Sequence, residues 1–96
     1  MEIKNLESPV LITVEEVNKE VVATITPFTK DLDLGSMQKA VGGYIEILKS
    51  RCGKYDIVVN EEGRLRNFLH NDIATGLSGR EYIVGNAIIV PVGLID

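Results

Sequence analysis

The stretch "YDIVVNEEGRLRNFL", Tyr55–Leu69, constrains the fold more than any other part of the chain. Asn60-Glu61-Glu62-Gly63 has Asn at its first position and Gly at its fourth, the pattern of a type I turn closed by a glycine bulge. The flanking residues alternate. The turn therefore predicts a hairpin in which Asn60 pairs with Arg64, while Val59, Ile57 and Tyr55 face Leu65, Asn67 and Leu69. That face is mostly apolar. The other carries Asp56, Val58, Arg64, Arg66 and Phe68, with Asp56 placed to pair an arginine across the strands. A ribbon with one buried and one half-wet face belongs in an antiparallel sheet.

The rest of the chain reads the same way. "PVLITV" (Pro9–Val14) and "VVATIT" (Val21–Thr26) alternate, separated by the polar "EEVNKE", which predicts an N-terminal hairpin ended by Pro27. Asp33 is a natural N-cap, Leu34, Met37 and Val41 share a helical face, and Gly42-Gly43 stops the helix. A helix of about two turns is not stable alone and must lie on a sheet. "YIEIL" (Tyr44–Leu48) alternates again. "HNDIATGLSGR" predicts a second short helix, capped by Asn71 or His70, with Ile73 and Leu77 at i, i+4 and Gly76 or Gly79 at its end. "EYIVGNAIIVPVGLI" predicts a long interior strand with a bulge or a close backbone approach at Gly85. Its apolar tail, Val92, Leu94 and Ile95, points to burial in a subunit contact and hence to a homo-oligomer. The order ββαβββαβ describes an α+β fold: a mainly antiparallel sheet of five to six strands with two short helices.

Ninety-six residues make one domain, 1–96, with an N-terminal hairpin over 1–27. Five aromatics leave a core of Val, Ile and Leu, which favours strands. Charge separates the two parts of the chain. Residues 1–33 hold seven acids and three lysines, whereas 34–96 hold seven acids and seven bases. No basic stripe is present to neutralise phosphates, so direct nucleic-acid binding is not expected. Cys52 is the only cysteine, which rules out an internal disulfide, and no Cys/His cluster has zinc spacing. No basic-then-apolar leader opens the sequence, and no apolar run approaches the roughly 18 residues of a membrane helix. The expected location is the cytoplasm, away from membranes.

Catalytic constellations are absent from the pattern. Nothing in the spacing couples Cys52 to His70, and "GLSG" lacks the nucleophile elbow. Glu61 and Glu62 sit on an exposed turn without the oxygen ladder of a calcium loop. Gly42-Gly43 follows a helix, whereas phosphate cradles precede one. No cofactor or metal is expected. Binding is better served. Arginines can hold a phosphate or carboxylate, asparagines can read a base or ribose edge, and the helix start at Asn71 offers free amides. The candidate ligand-binding residues are Asn60, Glu61, Arg64, Arg66, Asn67, His70 and Asn71. Asn60 is first a turn residue and Asn71 first a cap, which leaves the other five less explained.

"MQKAVGGYIEIL", then "VVNEEGRLRNFLHNDIAT", then "YIVGNAIIV" resembles a family of small proteins carried by phages, plasmids and integrative elements, catalogued as a domain of unknown function. The matching residues are Gln38, Val41, Gly42, Gly43, Tyr44, Ile45 and Glu46; Asn60, Glu61, Glu62, Gly63 and Leu65; Asn71, Ala74 and Thr75; and Ile83, Val84, Gly85 and Ala87, within a family-like core of 34–90. Arg64 stands where the family has lysine, and "FLHN" where it has Leu-Pro-x-Asn. The resemblance implies a mobile-element origin in a bacterial cytoplasm and no established activity. The functional expectation is a non-enzymatic binding protein that sequesters a nucleotide-derived signal in counter-defence. The alternative is an acidic adaptor or inhibitor that masks a host protein, docking through Glu15, Glu16 and Glu20. A small enzyme comes last.

Overall fold

The computed structural model describes residues 6–95; the outermost ends of the expected 1–96 domain lie outside them. The elements are β1 (Val10–Val17), β2 (Glu20–Pro27), α1 (Leu34–Val41), β3 (Ile45–Lys49), β4 (Tyr55–Asn60), α2 (Asp72–Ser78) and β5 (Ala87–Pro91). The strands form one antiparallel sheet in the order β2-β1-β5-β4-β3. The expected α+β class, antiparallel sheet and two short helices are all present.

β4 and β5 are interior strands, and alternation loads both of their faces. Tyr55, Ile57, Val59, Ala87 and Ile89 point to one side, where Ile12 and Ala74 of α2 complete a cluster. Val58, Ile88 and Val90 point to the other, against Met37 and Val41 of α1 and Phe28. Ile12, Ile57, Ile88 and Ile89 are fully buried, each worth about 1.5–3 kcal/mol of burial. The helices are thus consequences of the strands: each supplies one short apolar stripe to a sheet that is apolar on both sides. Leu34, expected on the buried face of α1, is instead 58% exposed, and the helix packs through Met37 and Val41. Ala40 packs beside that pair against the same cluster.

The N-terminal hairpin forms as expected, tightened by a two-residue turn with Asn18 and Lys19 both left-handed. The hairpin expected across Asn60–Gly63 does not form. The turn itself exists, with the Gly63 amide bonded to the Asn60 carbonyl, but Gly63 is not left-handed and makes no bulge. The chain winds on instead of reversing: Arg66 N–H bonds Glu62 C=O and Phe68 N–H bonds Gly63 C=O. Arg64–Leu69 is therefore not a strand. Both sides of β4 are taken, by β3 and by β5, and these apolar neighbours outweigh a ribbon whose Leu65 is 83% exposed. Asp56 accordingly pairs with Lys49 of β3, at 2.9 Å, and not with an arginine.

The long C-terminal strand is also shorter than expected. Its first part makes one bridge, Val84 with His70, before Gly85 turns the chain. The close approach predicted at Gly85 is real: φ is 77°, and a Cβ there would meet the Phe68 ring at 2.7 Å. In the tail, Val92 and Leu94 are half exposed while Ile95 packs beside the α1 cluster.

Candidate functional site

Three buried or half-buried asparagines finish what the strands leave open. Asn71 is fully buried. Its Oδ1 accepts the Ala74 amide as the N-cap of α2, and its Nδ2 donates to the carbonyls of Ile12 and Gly85. Asn60 Oδ1 accepts from Glu62 N–H, and its Nδ2 donates to the Val41 carbonyl at the end of α1. Asn86 Oδ1 accepts the Val14 amide, where the ladder register would otherwise have placed Gly85, and its Nδ2 reaches the Ala40 carbonyl. Unpaired buried backbone groups are costly, so Asn60 and Asn71 are committed to the fold. Asn86 plays the same part and was missed by sequence reasoning, because only the spatial end of the β1–β5 ladder reveals the need.

The remaining candidates separate. Arg66 lies outside, 3.9 Å from Glu62 on one turn. Asn67 is left-handed and lines a cavity of about 390 Å³ with Val14, Asn86 and the end of α1. His70 stacks flat on Tyr82, centroids 4.3 Å apart and planes within 1°, and its Nε2 shares a hydrogen bond with the Thr75 hydroxyl. Thr75 also accepts the Ile83 amide and reaches the Ile83 carbonyl. A hydroxyl has one proton; with it on Ile83, His70 Nε2 is the donor.

Glu61 and Arg64 come together in a groove of about 340 Å³ beside β3. Leu48 and Val59 line it on the sheet side, the turn at Gly63 to Leu65 forms one wall, and Glu81 to Val84 form the other. Arg64 Nη2 donates to the Tyr82 carbonyl at 2.8 Å, and its guanidinium sits 5.8 Å from the Tyr82 ring centre. The wall is close-fitted, since a Cβ on Gly63 would press on Val84 at 3.0 Å. Three glutamates, Glu46, Glu61 and Glu81, line the groove with one arginine, Arg64. Glu81 and Tyr82 carried no local motif, and Glu46 was marked only by the family resemblance; the fold gathers them from two segments beside Glu61 and Arg64.

The groove opens on the outer edge of β3, the last strand of the sheet among the described residues. Ser50 N–H bonds the Tyr55 carbonyl and Glu61 N–H bonds the Tyr44 carbonyl. By the alternation of antiparallel ladders, Glu46 and Leu48 also bond β4, and Ile45, Ile47 and Lys49 point their amides and carbonyls outward.

At the other end of β4, Cys52 sits exposed in the turn before Tyr55. Its pKa is lowered, chiefly by the Ser50 hydroxyl 3.4 Å away and then by the Lys54 backbone. Among the described residues, no three His, Cys, Asp or Glu side chains converge as a metal site, and no helix is long and apolar enough to cross a membrane.

A family model described as a domain of unknown function (DUF3846) matches residues 10–93. The chain belongs to that family. The match takes in β1 and β2, the hairpin that sets one edge of the sheet, as well as the groove. No curated protein and no solved structure matches the chain.

Proposed function

We propose that this DUF3846 protein is a non-enzymatic adaptor or inhibitor of a phage or mobile element, masking a host protein by taking a basic, extended segment of it along β3. The carrying observation is the charge of the groove: three carboxylates to one arginine, with that arginine already bonded to the Tyr82 carbonyl. A phosphate entering there meets net repulsion, whereas a lysine or arginine meets net attraction. The adjacent edge offers the main-chain donors and acceptors of Ile45, Ile47 and Lys49, so an added strand gains backbone bonds and the groove reads its side chain. The exposed Leu65 gives an apolar rim. The mobile-element setting is supported by the sequence resemblance, and the nucleotide-sequestering reading is disfavoured by the same carboxylates.

Fluorescent peptides of equal length, one lysine- and arginine-rich and one acidic, test this alongside a panel of cyclic dinucleotides. The basic peptide should bind, and binding should weaken as added salt shortens the Debye length below its physiological value of about 8 Å. Tight nucleotide binding with no basic-peptide binding would sink the proposal.

A further inference from the structure

The other edge of the sheet is built differently. β2 is eight residues long, without a bulge, and among the described residues it pairs with β1 alone, on one side. Long, flat, apolar edges are normally blunted with lysine, proline or a bulge. Here Val21 and Val22 are 48% and 39% exposed, no lysine lies within the strand, and the one proline stands at its last position.

The register says which groups are free. Phe28 N–H bonds the Pro9 carbonyl. Stepping along the ladder, Thr26, Thr24, Val22 and Glu20 bond β1, and Val21, Ala23, Ile25 and Pro27 face outward. Pro27 thus lacks a donor that the hairpin never uses. The outward triplet is centred on Ala23. In an antiparallel pairing about a two-fold axis, Ala23 lies opposite its own counterpart and Val21 opposite the counterpart of Ile25. Every free amide and carbonyl of the triplet is then matched by an identical set.

Charge permits the same pairing. At about 3.3 Å per residue and 4.8 Å between strands, Glu15, Glu16 and Glu20 stay roughly 15 Å or more from every glutamate of the other hairpin, beyond the Debye length of about 8 Å. The equivalent pairing at β3, about Ile47, sets the two Glu46 carboxylates roughly 8 Å apart, with Glu61 and Glu81 of each acidic groove close behind. The hairpin glutamates do not oppose a second copy at β2, where Asp72 in the groove beside the strand is the acid nearest the axis, whereas Glu46, Glu61 and Glu81 oppose one at β3.

We propose that two copies of this chain associate through β2 with Ala23 on the two-fold axis, joining two five-stranded sheets into one. The grooves of about 450 Å³ between β2 and the start of α2, lined by Val21, Ala23, His70 and Asp72, then meet across the axis as one trough.

Light scattering on the full chain across a concentration series should show a mass rising to twice 10.5 kDa. Hydrogen exchange at Val21, Ala23 and Ile25 should slow with concentration, while Val22 and Thr24 stay protected throughout. Ala23→Pro removes only an outward donor and should give a folded monomer. If that variant unfolds by circular dichroism, Val21→Lys/Ile25→Lys, which sets lysines opposite lysines, should give the monomer instead. A wild-type mass of one chain into the millimolar range would overturn the proposal. So would a folded Ala23→Pro or double-lysine variant that keeps the double mass, and a dimer abolished by Ile47→Pro would place the contact at β3.

Discussion

The two edges of this sheet differ in length, charge and anchoring. β3 is five residues long, is paired with β4 over its whole length, and borders the acidic groove. β2 hangs on β1, which pairs with β5 only over Val10–Ile12; side-chain bonds from Asn71 at Ile12 and Asn86 at Val14 reinforce that short ladder, and Ala23 and Ile25 pack on the core. A short, charged edge selects its partner by sign. A long, nearly uncharged edge selects by register. The same main-chain chemistry therefore serves two recognition surfaces, and the side chains around each decide what it accepts.

The sharpest way to break the contrast is at the anchor of the ribbon. Asn71→Ala removes the cap of α2, leaves the Gly85 carbonyl without its side-chain donor and strips the Ile12 carbonyl of the bond it has beyond its ladder pairing with Ala87. It should cost about 3 kcal/mol in chemical denaturation, with exchange accelerated in β1 and β2 before β3 and β4. A uniform loss across the sheet would show that the ribbon is not separately anchored.

Next comes the charge of the β3 groove. Glu46→Gln/Glu61→Gln/Glu81→Gln should weaken basic-peptide binding about tenfold, near 1.4 kcal/mol. It should flatten the salt dependence and leave the mass set by β2 unchanged. A matching change in mass would mean that the two edges are coupled.

Asn86→Ala frees the Val14 amide and the Ala40 carbonyl, both only partly buried. A loss of about 1 kcal/mol is expected, seen as faster exchange at Val14 and little effect at β3.

The smallest effect belongs to a site on neither edge. Asp33 caps α1 by accepting the Ser36 amide at 2.7 Å, and that bond lowers its pKa. A depressed carboxylate stabilises the fold above its unfolded pKa, and the contribution disappears as pH falls through the lower folded value. Asp33→Ala should therefore melt slightly below wild type at neutral pH and level with it in strong acid, with peptide binding and mass unchanged at either edge.

Local chemistry was legible wherever one short segment decided the outcome. Asp33 and Asn71 are caps because a polar side chain before an apolar turn has an amide within reach. Gly85 is a close approach because nothing larger fits beside Phe68. The hairpin at Asn60–Gly63 was misread for the opposite reason. Its turn residues are right, but hairpin formation depends on whether β4 still has a free side, and residues far away in sequence, in β3 and β5, had taken both.

The candidate site follows the same division. Among the seven polar candidates, the sequence marks Asn60 and Asn71 as turn and cap, and they are that and more: each also closes carbonyls contributed by distant elements. Glu61 and Arg64 acquire their meaning only when Glu46 and Glu81 arrive beside them. By itself the sequence determined the class of fold, the hairpin of β1 and β2, both helix caps and the aliphatic core, because periodicity and capping act over a few residues. Tertiary structure alone decided which strands are edges, which backbone groups point outward and which sign of charge gathers at each edge. Those depend on strand order, and strand order is set by which apolar faces bury each other best across the whole chain.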